Sequence, residues 1–157
     1  MVKDIDGYDR KILNILTADA RISLTQLSAQ VGLSKTPVAA RVKNLEDAGL
    51  ITGYRAILST NRLGLCYVAF LQVNLSDTRE KTLLEFNMAV KKVPEVAECH
   101  MIAGGYDYLL KVRTTDIEAY RKVMGQSISA LPHVQSTSTF ISMETVVEQT
   151  NPPLSLA

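Results

Sequence analysis

The spacing of apolar residues changes part-way along the chain, and such a change divides a sequence into two folding units. Up to about residue 48, apolar side chains recur every three or four positions, the period of helices with one buried stripe. From Cys66 onward, runs rich in β-branched and aromatic residues alternate with helical stretches. The polar, turn-forming stretch from Ser59 to Gly64 separates the two patterns. We therefore expect one domain over residues 1–60, a linker over 61–65 and a second domain over 66–157. With 157 residues, 46% of them apolar, the chain can bury two small cores.

In the first part, Asp6 is a cap for a helix that buries Tyr8, Ile12, Ile15 and Leu16 and ends near Asp19. Ser23 caps a short second helix with Leu24, Leu27 and Val31 on its stripe, and Gly32 stops it. Ser34 caps a third, Lys35–Ala48, with Pro37 in the first turn, where no intrahelical N–H is lost. Its stripe is Val38, Val42 and Leu45. Leu50–Leu58 then reads as extended, with Gly53 as the turn of a small two-stranded wing.

In the second part, Cys66–Leu75, Val96–Ala103, Asp107–Arg113 and Val134–Val147 read as strands, with helices over Glu80–Lys92 and from Asp116 to about Ala130. The order is βαββαβ, the ferredoxin-like arrangement. The expected fold class is α+β, a winged helix-turn-helix domain followed by this sheet. Two helices cover one face of such a sheet, and an apolar face left open, here around Val68, Phe70 and Gln72, calls for a second copy. The tail Asn151–Ala157 reads as loosely ordered.

Charge adds a bias. Net charge is only +1, but residues 1–62 carry nine lysines and arginines against six acids, and the stretch Arg21–Asn44 has four bases and no acid. No stretch suits a membrane span or a signal peptide, so the expected location is cytoplasmic. Cys66 and Cys99 read as buried strand thiols rather than a disulfide framework. His100 and His133 fall on separate strands, and adjacent Cys99 and His100 point to opposite faces, so neither a metal site nor any other cofactor is expected. No nucleophile motif or phosphate loop is present, which argues against an enzyme.

Two short helices joined at Gly32, the second with a small and basic polar face, suit insertion into the DNA major groove. Lys35, Arg41 and Lys43 can donate to guanine or phosphate, with Arg41 the base reader, and Ser34 and Thr36 can hold a phosphate at the helix start. Asn44 completes the polar face, and Pro37 shapes its first turn. An ordinary three-helix bundle with a solvated basic face fits the same spacing.

The segment IDGYDRKILNILTADARISLTQLSAQVGLSKTPVAARVKNLEDAGLITGYRAIL resembles the DNA-binding domain of the leucine-responsive and asparagine-related (Lrp/AsnC, feast/famine) regulators. The likeness continues through ECHMIAGGYDYLLKV, AYRKV, LPHV and STSTFISME, from about Ile5 to Glu148. It implies a regulator of transcription that binds double-stranded DNA, forms dimers and often octamers, and responds to an amino acid. It also implies a pocket between subunits. Carried over, that pocket is lined by Ala103, Gly104, Gly105, Tyr106 and Asp107 of the loop between the second and third strands, and by Thr137, Thr139 and Ile141 of the last strand. Gly105 stands where some members have Asp, and Ser142 where larger apolar residues are common.

The loop's own chemistry leaves two readings. The glycine pair can present N–H groups to a carboxylate while Asp107 receives an ammonium, or it can be a hairpin turn with Asp107 capping the strand. An alternative function is an architectural protein that wraps DNA without an effector, against which the near-neutral charge counts.

Overall fold

A computed structural model describes residues 5–148, and the tail Asn151–Ala157 lies outside them. The described chain forms two compact units, one ending at Ile57 and one spanning Leu58–Val146.

The first unit holds α1 (Gly7–Ala18), α2 (Leu24–Val31) and α3 (Lys35–Asp47). Both α1 and α2 begin with a reciprocal capping box. Asp6 accepts the Asp9 N–H while Asp9 accepts the Asp6 N–H, and Ser23 and Gln26 do the same for α2. Gly32 ends α2 at φ 84°, a left-handed conformation that costs a side chain about 1–2 kcal/mol. The core gathers Ile12, Leu27, Val31, Val38 and Leu45, with Ile15, Leu16, Val42 and Ile51 packed against it.

Tyr8 and Leu24, expected on the buried stripes, are exposed, and two further expectations for this unit need correction. Ser34 precedes α3 with extended backbone, but its side chain makes no cap hydrogen bond. The two-stranded wing is also not formed, and residues 50–58 have no ladder partner among the described residues. Leu50 and Ile51 instead donate their amides to the Leu45 carbonyl at 2.9 and 3.1 Å, closing the end of α3, and Tyr54 donates its hydroxyl to Glu46. The first arm of the hairpin is consumed by the helix it follows.

The second unit contains β1 (Tyr67–Leu75), α4 (Glu80–Val90), β2 (Val96–Met101), β3 (Tyr108–Thr114), α5 (Ile117–Val123) and β4 (Val134–Ile141), in the sheet order β2-β3-β1-β4, with β1 antiparallel to both its neighbours and β2 antiparallel to β3. Ala69, Leu71, Val73 and Leu75 alternate onto the helix-covered face with Tyr108, Leu110 and Val112, and Phe86 of α4 meets the Tyr108 ring at 4.5 Å. The opposite face presents Phe70, Gln72, Leu109, Lys111 and Phe140, with Phe140 54% exposed.

Here too the elements depart from expectation. The helix after Asp116 keeps its side-chain cap on Ala119 N–H, but continues from Met124 to Ile128 as a π-helical turn. β4 stops at Ile141, well short of Val147, because beyond Ser142 the chain leaves β1. His133 is not on a strand. It sits before β4 at φ 65°, its carbonyl accepting the Ser76 N–H and its ring bonded to Glu85. Cys66 is exposed and lies ahead of β1, not buried in it. Cys99 is half-buried on β2, and burial pushes its thiol above the ordinary range, away from the reactive thiolate.

Candidate functional site

α3 sets out most of the proposed DNA-contacting side chains. Val38 and Leu45 bury one side of the helix, and at 100° per residue Thr36, Ala40, Lys43 and Asn44 fall on the far side, all exposed. Ser34, Lys35 and Pro37, at the helix start, are also exposed. With two alanines, Ala39 and Ala40, standing exposed, nothing bulky keeps the helix backbone away from a groove floor. Ala40 was not singled out from the sequence, although its helical position three residues before Lys43 was there to read. Lys43 bonds Asp47 one turn on at 2.7 Å, a solvated pair that holds it only weakly.

Arg41 is placed differently from the rest. It sits on the flank of α3 beside the core, and its Nη1 lies 2.8 Å from both Asp6 and Asp9 of α1. Its guanidinium also stands 5.5 Å over the Tyr8 ring. The hydrogen bonds it donates to Asp9 and then to Asp6 raise its pKa further. The Asp6 carboxyl is held below its ordinary range by the Asp9 N–H and by Arg41. These two acids gave no sign in the sequence beyond helix capping.

In the second unit, the β2–β3 loop is closed by Ile102, which donates its N–H to the Asp107 carbonyl at 2.8 Å, while Asp107 donates its own N–H to Val73. The Asp107 carboxylate accepts the Leu75 N–H at 2.7 Å, next to the irregularity in β1–β4 pairing. The strand-capping reading of Asp107 is thus realised, through one of its two oxygens. Ala103, Gly104 and Gly105 are exposed and Tyr106 is half-buried.

Neither glycine adopts a left-handed φ. A Cβ on Gly105 would meet nothing within 4 Å, and one on Gly104 only Ile102 at 3.5 Å, an ordinary contact. The turn itself therefore does not need the pair. What the pair leaves is bare backbone open to something arriving from outside.

Thr137, Thr139 and Ile141 lie on edge strand β4, opposite Val73, Leu71 and Ala69 and on the same face as those residues. The Thr139 hydroxyl shares a 2.6 Å hydrogen bond with Tyr120 of α5, a residue not foreseen for this region. Because β1 stands between β4 and β3, a single chain does not bring these positions against the 103–107 loop.

Residues 68–152 match the family model described as the Lrp/AsnC ligand binding domain, and residues 5–52 match a winged helix-turn-helix DNA-binding model. The chain belongs to the Lrp/AsnC family of transcriptional regulators. It is 61% identical over 150 residues to a proline dehydrogenase transcriptional activator of Rhodobacter capsulatus, covering 96% of this chain and 97% of the relative. To the leucine-responsive regulatory protein of Escherichia coli K12 it is 44% identical over 144 residues, 92% and 88% of the two chains. A transcriptional regulator of Neisseria meningitidis, solved as a complex with L-Met, superposes with a TM-score of 0.89 at 31% identity, covering 98% and 97%. This regulator therefore joins a helix-turn-helix DNA-binding domain to an effector-binding α+β domain, and its relatives control transcription rather than catalyse reactions. Among the described residues no helix is long and apolar enough to cross a membrane, and no cluster suits a metal ion.

Proposed function

We propose that this regulator lays α3 in the major groove, reads base edges with Thr36, Lys43 and Asn44, and grips phosphate with Ser34 and Lys35, Pro37 shaping the approach. The Ser34 hydroxyl, not spent on a helix cap, is available to a phosphate oxygen at the positive end of α3. The open sheet face pairs with a second copy, and two DNA-binding domains then meet successive major grooves.

The effector in this reading is a free amino acid held between subunits, its carboxylate on the bare amides of Ala103–Gly105 and its ammonium on the remaining oxygen of Asp107, with Tyr106 over it. Thr137, Thr139 and Ile141 of the partner's edge strand close the pocket. The observation that carries this reading is the glycine pair, which the chain's own turn does not require. A regulator of a catabolic dehydrogenase gene usefully senses that enzyme's substrate, and the R. capsulatus relative is named as an activator for proline dehydrogenase. Proline is therefore the proposed effector, and the proline dehydrogenase gene the proposed target. Its ring nitrogen carries two N–H donors, enough for Asp107 and one further acceptor.

Isothermal calorimetry of the full chain against each natural amino acid tests the effector. Proline binding that weakens in Asp107→Asn supports the reading. Equal binding by both proteins, or binding of no amino acid, contradicts it and favours architectural wrapping.

A further inference from the structure

In a helix-turn-helix an arginine on the groove-entering helix is the first candidate for reading bases, yet Arg41 is already committed. Each of its acidic partners divides its two carboxylate oxygens. Asp6 spends Oδ1 on the Asp9 N–H and Oδ2 on Arg41, while Asp9 spends Oδ2 on the Asp6 N–H and Oδ1 on Arg41. The start of α1 and the middle of α3 are thus one hydrogen-bonded network, with the Tyr8 ring beneath the guanidinium. The Asp9 side chain is only 17% exposed and that of Arg41 30%, so the Arg41–Asp9 pair is shielded more than an ordinary surface pair, while Asp6 is half-exposed.

We infer that Arg41 is a positioning residue that sets the rotation of α3 about its own axis, and not a residue that reads DNA. The inference rests on α3 being the groove helix. To reach a base, Arg41 must leave both carboxylates, stranding two like charges side by side and facing a phosphate backbone. While it stays, one guanidinium between two acids leaves the trio itself net negative, and DNA is met on the Thr36, Ala40, Lys43 and Asn44 side. The core contacts at Val38 and Leu45 set which side of α3 faces inward, and the hydrogen bonds of Arg41 to Asp6 and Asp9 hold its rotation more finely within that packing. Tyr54 and the Leu50 and Ile51 amides tie α3 to the segment that follows it, whereas Arg41 ties it to the start of α1. A small rotation moves base-reading atoms out of bonding geometry while leaving the general attraction to phosphate intact.

The probes are a duplex selected by the wild-type full-length protein from a random pool and a scrambled duplex of the same composition, each titrated by fluorescence anisotropy at several salt concentrations. The ratio of the two affinities measures discrimination, and the salt slope counts phosphate contacts. Arg41→Ala and Asp9→Asn should each lower the ratio about tenfold, the scale of one lost base contact. Neither should change the salt slope, and Arg41→Lys, which keeps an ion pair, should recover most of the ratio.

Asp9→Asn decides the matter by sign. It removes a negative charge near DNA and loosens Arg41, so a DNA-reading Arg41 predicts binding as tight as wild type or tighter. That result, with Arg41→Ala lowering the slope by about 0.9, the value of one phosphate contact, would overturn the inference. Since an Asn at position 9 keeps an amide oxygen to accept the Asp6 N–H, the test stands even if Arg41→Ala unfolds. Lys35→Ala checks the underlying reading separately: an unchanged salt slope there removes α3 from the interface, whatever Arg41 does.

Discussion

Asp107 holds the fold with one oxygen and is the proposed acceptor of a ligand ammonium with the other. One oxygen holds the Leu75 amide at the end of β1, and an Asn there keeps an acceptor for that bond while losing the charge an ammonium needs. We expect Asp107→Asn to leave thermal stability close to wild type. Asp107→Ala, which strands a partly buried N–H, should cost about 1–3 kcal/mol in denaturant titrations. Gly105→Ala is a sharper probe, because its Cβ meets nothing and its φ is ordinary. It should keep or raise stability, by up to about 1 kcal/mol, through a less flexible unfolded chain. Amino-acid binding, read by calorimetry, should nevertheless weaken several-fold. A variant equally stable and equally tight would return the glycine pair to the role of a plain turn. From the sequence the loop was identifiable, but its two readings had equal footing. Backbone φ and the space around each glycine bear on the choice, and residue identity encodes neither.

Helix starts in this chain were legible because their signals are local. Asp6 with Asp9 and Ser23 with Gln26 lie three residues apart, and each pair closes the box its spacing implies. Ser23→Ala should cost about 0.5–2 kcal/mol, measurable by chemical denaturation, and an unchanged midpoint would mean that α2 is held by packing alone. What the sequence concealed is competition between elements for the same backbone groups. Leu50 and Ile51 look like strand residues, yet their amides finish α3, and the wing does not pair. The π-helical turn at Met124–Ile128 likewise leaves no mark in an apolar pattern that suits a continuous helix.

Between-element ion pairs predict the pH response. Glu85 beside His133, Glu98 beside Lys111 and Asp6 beside Asp9 and Arg41 all have carboxyl groups held below their ordinary range. Such groups contribute stability in full above their unfolded values, about 4.5 at the highest, and lose it as pH falls through the lower folded values. Denaturation midpoints should therefore hold between pH 7 and 5 as far as these groups are concerned and drop below about pH 4.5. A midpoint unchanged down to pH 3 would show that the pairs do not act in solution.

At the scale of the whole molecule, the two units carry two binding functions, and regulation requires that one affect the other. The sheet order was readable from the βαββαβ succession and the open face from Phe70 and Gln72, whereas Val68, expected on that face, is buried within the chain. The fragment from Leu65 onward should be a stable dimer by light scattering. A monodisperse monomer would remove the shared pocket, since β1 keeps β4 away from the 103–107 loop within a chain. The central claim is that effector and DNA are coupled, and thermodynamic linkage makes it testable from both directions. The decisive measurement is the affinity of the full-length protein for its selected duplex with and without saturating proline, paired with its affinity for proline with and without that duplex. Both affinities should change by the same factor, roughly 5–150-fold for a coupling of ordinary strength. Specific DNA binding indifferent to proline and to every other natural amino acid would contradict it.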